Sequence, residues 1–304
     1  MLCIRNEILE DEEMFVILGA TGKIGRATIA ELRRHGAPVR AIVRRQNGAD
    51  DLEAMGCEIA VADIRDNAAL SESMSGAAAV QIICPTSIRA DDAAAEMKDS
   101  IRSIVYALDR NRPSSVLAIS DYGAHLTSDT GITLIFHHLE SELKKLSAAL
   151  TFLRSAEHME NWSRQIGYAV ETGVLPILHH PVSKLFPTVS APDVGFIAGE
   201  LLLSNAQASL RIIHAEGPER YSAEDVARIA GELAGRKIVA SEMPRPDWMP
   251  SLVRGGLGAS YAELVAEMYD AHNAGRIDVE RGAGEVRRGR TSLREVLASM
   301  TTNI

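Results

Sequence analysis

The run Gly19-Ala20-Thr21-Gly22-Lys23-Ile24-Gly25 constrains this chain more than any other stretch. It follows the apolar segment Met14–Leu18 directly and opens a pattern in which Ile24, Thr28 and Leu32 share one helical face. Strand, glycine turn and helix in that order form a dinucleotide-binding βα unit. Glycine lets the chain turn sharply and lets backbone approach a pyrophosphate, while the helix start offers unpaired N–H groups and partial positive charge. A mononucleotide P-loop is excluded. Ile17 stands where its first glycine is needed, and Lys23 is followed by Ile24 rather than Ser or Thr.

The rest of the first half repeats the same rhythm. Strands are expected at Val39–Val43, Glu58–Val61, Ala79–Cys84, Ser115–Ser120 and Ala149–Arg154. Helices are expected at about 23–35, 50–55, 92–109 and 135–146, with Gly36 as a stop and Asn67 as the cap of a short helix through Leu70 and Met74. Near-continuous apolar strands alternating with helices predict an α/β chain, a doubly wound parallel sheet covered on both faces. From 155 to 190 the rhythm breaks, and an irregular, pocket-building region is expected. A helix at Val194–Leu203, a strand at Leu210–His214, a helix opened by Ser222 and Asp225, and helices at Ala259–Asn273 and Ser292–Ser299 follow. The smaller, mostly helical remainder is expected to cover the carboxyl ends of the strands, where ligands of such sheets bind.

Composition narrows the function. The 304 residues are 46% hydrophobic and 24% charged, an ordinary globular balance. A formal net charge of −9 argues against direct nucleic-acid binding. No apolar run is long enough for a transmembrane helix, and the acidic start, Glu7 to Glu13, reads as a tail rather than a secretory signal. Cys3, Cys57 and Cys84 are odd in number and widely spaced, which gives neither a disulfide framework nor a zinc site and suits a reducing, cytoplasmic setting.

The cofactor type is read at the end of the second strand. An acidic residue there, about 20 residues past the glycines, would bind a ribose 2′-hydroxyl. Arg44 and Arg45 occupy the place instead. A guanidinium can hold a 2′-phosphate through two parallel hydrogen bonds, so NADP(H) is expected, with NAD(H) as the alternative and Lys23 as a helper. Asp63, ending the third strand, is placed at the adenine or as a cap of the next turn. Cys84 lies near the expected cofactor, either as a small buried thiol or as a redox-sensing one. Ser120 and Tyr122, at the end of the fifth strand, are candidates for the nicotinamide side; Tyr122 as a proton donor competes with simple packing. Met159, Trp162, Tyr168 and Phe186 are either core or the wall of an apolar pocket. His179-His180 lacks further ligands at metal spacing, and His158-Met159-Glu160 lacks the cysteines of a zinc deaminase.

Several segments together resemble one family. Val16 to Gly25, Val39 to Arg44, Val61-Ala-Asp63, Thr151-Phe-Leu-Arg154 with Met159-Glu-Asn161, Val189-Ser-Ala-Pro-Asp193 and Ala271-His-Asn-Ala-Gly275 are similar to the NmrA-like, atypical short-chain dehydrogenase/reductase proteins. The resemblance spans residues 14–299. It implies a Rossmann domain over 14–155, rejoined by about 188–215, and a substrate-covering domain from 156–187 and 216–304. It implies NADP(H) cradled by Gly19, Thr21, Gly22, Lys23, Ile24 and Gly25. Some members reduce quinones or dyes; others bind the nucleotide and regulate partners without turnover. The usual Tyr-x-x-x-Lys acid pair is absent: Leu134 stands at the Tyr position and His138 at the Lys position. The resemblance makes His138 a ribose ligand or donor, while the residues equally allow a helix histidine satisfied by Glu142. An NADPH-dependent reductase of a small apolar electrophile such as a quinone is therefore expected. A nucleotide-sensing regulator is the rival, and an isomerase or epimerase comes third. A small-molecule substrate, no membrane partner and a homodimer complete the expectation.

Overall fold

A computed structural model describes residues 13–204 and 208–301. The acidic tail before Glu13, and Cys3 within it, lie outside the described residues. The chain begins β1 (Met14–Leu18), α1 (Lys23–Arg34), β2 (Val39–Val43), α2 (Asp50–Ala54), β3 (Glu58–Val61), α3 (Asn67–Ser73), β4 (Ala77–Ile83), α4 (Ala93–Asn111), β5 (Ser115–Asp121), α5 (Thr133–Leu143) and β6 (Ala149–Ser155). The two-residue strand β7 (Glu157–His158), α6 (Ser163–Thr172), β8 (Val174–Ile177) and a second two-residue strand, β9 (Thr188–Val189), fill the segment expected to be irregular. Then come α7 (Ala191–Leu203), β10 (Leu210–Glu216), α8 (Ala223–Ala234), β11 (Val239–Glu242), α9 (Arg245–Arg254), α10 (Ala259–Asn273), β12 (Glu285–Arg288) and α11 (Leu293–Thr301).

Eight strands form one sheet in the order β12-β10-β6-β5-β4-β1-β2-β3, every neighbour parallel. Strand order reverses between β1 and β4, which opens a crevice at their carboxyl ends. Alternate residues bury both faces. Val16, Leu18, Val80, Ile82, Val116 and Ala118 pack with Met97, Ile101, Ile104, Ile135 and Leu139 of α4 and α5. Residues of the other parity pack toward α1 and α7, Ile17 with Ile29 and Leu32, Leu117 with Ile197 and Leu201. Burial at about 25 cal/mol per Å² of apolar surface makes this two-sided covering the main stabilising term. A separate apolar cluster of Met159, Trp162, Ile166, Ile177, Phe186 and Leu297 lies under α6, α8 and α11.

Three differences from the sequence reading have physical reasons. The segment 155–190 holds a helix because Ile166 and Ala169 give α6 one short buried stripe, too brief to register as a period. Strand β12, Glu285-Val-Arg-Arg288, is exposed throughout and carries no apolar alternation; it is a charged edge. The cap of α3 is Asp66, which accepts from the N–H groups of Ala68 and Ala69, and Asn67 is the first helical residue. At α8 the expected reciprocal cap forms: Asp225 N–H donates to Ser222 Oγ at 3.2 Å and Ser222 N–H to Asp225 Oδ2 at 3.0 Å. No helix among the described residues is long and apolar enough to cross a membrane.

Candidate functional site

The glycine loop leaves β1 through Gly19, whose φ of +77° suits glycine, and Gly22 then caps α1 with extended backbone. The Gly22 N–H donates to Gly19 O at 3.1 Å, which closes the turn. A Cβ on Gly25 would sit 2.3 Å from Gly19 O and 2.9 Å from Ala20 Cα, so helix and loop touch backbone to backbone there. A Cβ on Gly22 would meet only Gly19 O, at 3.4 Å, and so points into open space. No side chain caps α1, and its first turn has no acidic residue. A helix start left uncapped beside open glycine backbone fits a pyrophosphate. Thr21 and Lys23 are exposed at this loop, while Ile24 turns inward to the core.

Arg44 is exposed just past β2, and neither it nor Arg45 makes a hydrogen bond or ion pair among the described residues. Asp63 accepts from Arg65 N–H at 2.9 Å and from its guanidinium at 3.1 Å. The Arg65 hydrogen bonds, and to a smaller extent the Arg44 charge, hold the Asp63 carboxyl below its usual range. Asp63 therefore organises the turn after β3 while lying within reach of Arg44's field.

Ser120, Tyr122 and His138 turn to separate partners. The buried Ser120 hydroxyl donates to Glu140 Oε1 at 2.7 Å, inward toward α5. The Tyr122 phenol is buried, donates to Glu216 Oε1 at 3.1 Å, and is pushed upward in pKa by desolvation and by Glu216. His138 lies in the groove between α5 and α4, among Glu142, Lys98, Lys145 and Arg102, with its pKa lowered chiefly by burial. Cys84 is buried, and desolvation pushes its thiol up to about 12, so it is no thiolate. Strand alternation and helix phase, which send these groups in different directions, follow from packing rather than from their neighbourhood in sequence.

Other groups occupy the strand ends. Asp121 ends β5 opposite Ser155 of β6, and its Oδ2 accepts from the Thr133 hydroxyl at 2.9 Å. The Ser155 hydroxyl donates to Ala156 O at 2.9 Å, so its 3.0 Å contact with His158 Nε2 has the imidazole as donor and leaves Nδ1 the acceptor. Burial lowers the His158 pKa, the Glu160 and Glu157 charges work against it, and the Lys23 charge adds to the lowering. Glu157 accepts from His179 Nε2 at 2.8 Å and from the Tyr269 hydroxyl at 2.9 Å. Burial alone would raise the Glu157 carboxyl; His179, His272 and Tyr269 outweigh it and hold it low. His179 also stacks on Phe186 at 4.0 Å between centroids. Met159, Trp162 and Phe186 are core, whereas Tyr168 is exposed. The pair His179-His180 holds no metal cluster, and none is formed among the described residues. Glu160 accepts from Ala191 N–H at 3.0 Å and so caps α7.

A buried ionic network backs the site. Arg154 makes a two-pronged contact with Glu140, 2.8 and 2.7 Å, and a third with Glu280. Glu216 receives Tyr122, Arg220 and Arg288. Sequence reading singled out Arg154 within a motif but gave no partner for it; its carboxylates come from positions 140 and 280. Sequence reading did not place Asp121 and His158 at the strand ends, because one sits between the two candidates weighed and the other read as part of a deaminase pattern.

Comparison with known proteins agrees with this fold. The family model described as NmrA-like family matches residues 11–288. Quinone oxidoreductase 2 of Escherichia coli (strain K12) is 26% identical over 269 residues, 84% of this chain and 86% of that protein. NAD(P)H azoreductase of Xenophilus azovorans is 22% identical over 261 residues, again 84% and 86%. The solved structure of Citrobacter sp. triphenylmethane reductase complexed with NADP(H) superposes with a TM-score of 0.79 at 19% identity, covering 95% of this chain and 100% of that one.

Proposed function

The chain belongs to the NmrA-like family, and from that membership we propose that it is an NADP(H)-dependent reductase of a small apolar electrophile such as a quinone. One observation carries the cofactor assignment: an uncapped helix start on exposed glycine backbone, with a guanidinium, Arg44, at the end of β2 that is exposed and makes no ion pair among the described residues. Gly19, Thr21, Gly22, Lys23, Ile24 and Gly25 hold the pyrophosphate, and Arg44 selects the 2′-phosphate. Ser155, the last residue of β6, fixes the His158 imidazole. The cofactor, when bound, supplies a hydride, and this family's named relatives are a quinone oxidoreductase and an azoreductase. Residues 156–187 and 216–304 cover the substrate.

The decisive comparison is of NADPH and NADH binding by wild type and Arg44→Asp. NADPH affinity is expected to fall by about 10- to 100-fold, the worth of a charged hydrogen-bonded contact, with NADH little affected. Equal losses for both nucleotides would overturn the 2′-phosphate role, and no binding of either would overturn the reading. The spent hydroxyls of Ser120 and Tyr122 favour a second reading, a nucleotide-binding regulator without turnover. Oxidation of NADPH by a panel of quinones and azo dyes separates the two.

A further inference from the structure

Reduction of a quinone or azo bond by one hydride leaves an anion that needs one proton. The conventional donors in this chain are engaged elsewhere: Ser120 on Glu140, Tyr122 on Glu216, and His138 in the α4–α5 groove. Asp121 is different. It is the last residue of β5, at the carboxyl edge where the sheet's ligand crevice opens, and it is only partly buried. Thr133, the first residue of α5, fixes one of its oxygens by a 2.9 Å hydrogen bond.

We propose, resting on the reductase reading above, that Asp121 is the general acid that gives this proton to the reduced electrophile, with Thr133 as its positioning residue. The Asp121 O–H bond breaks as the substrate O–H or N–H bond forms. Hydride and proton together account for the two electrons and two hydrogens gained, and solvent reprotonates the carboxylate.

The surroundings suit an acid that works at neutral pH. Burial pushes the Asp121 carboxyl up to about 7, against the Thr133 hydrogen bond and the Tyr122 backbone N–H; the Glu157 and Glu140 charges add to the rise. The ionisable groups facing it are Glu140 on α5, Glu157 on β7 and Tyr261 on α10, with Cys84 and Arg164 acting on Tyr261 in turn. Glu157 is held low by His179 and is no competing acid. Tyr261 is pushed up to about 12, chiefly by burial, so it does not titrate in the same range.

The test combines a pH–rate profile with a readout free of turnover. In wild type, kcat for NADPH with a benzoquinone should fall above a midpoint near that of the carboxyl. Carbon-13 NMR of aspartate-labelled protein without substrate should show one carboxyl titrating far above the usual range, absent in Asp121→Asn. That variant should lose about 100-fold or more in kcat together with the alkaline limb, while KM and NADPH affinity stay close to wild type. Thr133→Val removes a hydrogen bond that favours the anion, so it should move the limb to higher pH; it also serves if Asp121→Asn fails to fold. Tyr261→Phe should keep the limb. An unchanged profile in Asp121→Asn, an unmoved limb in Thr133→Val, or a limb lost only in Tyr261→Phe overturns the assignment. Wild type that binds NADPH yet reduces no quinone or dye overturns the reductase reading, and the donor role with it.

Discussion

At the residue scale, Gly22 and Gly25 look alike in the motif and behave differently in space. A Cβ at Gly25 would overlap the Gly19 carbonyl at 2.3 Å, whereas at Gly22 it would make ordinary contact at 3.4 Å. Gly25→Ala should therefore cost about 1–3 kcal/mol of stability, since backbone must move to admit a methyl, and should abolish measurable NADPH binding. Gly22→Ala should unfold like wild type and weaken the nucleotide only. Thermal unfolding beside calorimetric titration checks both. This motif was legible because glycine spacing acts locally. The surroundings of Ser120 and Tyr122 were not, because each hydroxyl is taken by a carboxylate 20 or 94 residues away, Glu140 or Glu216; His138 lies within the field of Glu142 on its own helix and of Lys98 and Arg102 on α4.

Among elements, the closest pairing is α1 with α7. Gly195 brings α7 against the α1 backbone: a Cβ there would lie 2.3 Å from Ile24 O and 2.6 Å from Ala27 Cβ. At Gly199 it would lie 2.7 Å from Glu31 Cβ. α1 is the helix whose start carries the glycine loop, so α7 braces that loop's helix from behind. Gly195→Ala should force the helices apart at a cost of about 1–3 kcal/mol, read as a Tm lower by several degrees at unchanged fold, and should weaken NADPH binding without touching the loop. A fall in Tm with wild-type affinity would show the cradle to be independent of α7. The apolar pattern of Val194–Leu203 announced a helix, yet nothing local told that its glycines were a seam.

For the whole molecule, Arg154 joins three distant pieces: its own strand β6, Glu140 on α5 and Glu280 in the segment after α10. Breaking a buried pair by removing one partner leaves an uncompensated charge, so Arg154→Met should cost about 3–5 kcal/mol. The double variant Arg154→Met with Glu140→Gln should recover part of that loss. Denaturant unfolding of the two variants measures it; additive losses would mean that the pair is not coupled. Asp121 adds a pH term. Its folded pKa is raised to about 7, so its protonated form favours the fold, and stability falls as pH rises from about 4 to about 7, by at most about 1.4 kcal/mol per unit. Asp121→Asn should remove that slope.

The strand boundaries of β1, β2 and β3, the α10 span, the capping box of α8 and the glycine turn between β1 and α1 were all determined by the sequence alone, because hydrophobic period, capping chemistry and positive φ are properties of neighbouring residues. Tertiary structure decided which ionisable groups meet at the strand ends. It put Asp121 with Thr133 and His158 with Ser155 at the carboxyl edge, and it spent Ser120 and Tyr122 on buried carboxylates. Burial and long-range partners set both the direction and the protonation of such groups, and neither quantity has a local signature in the chain.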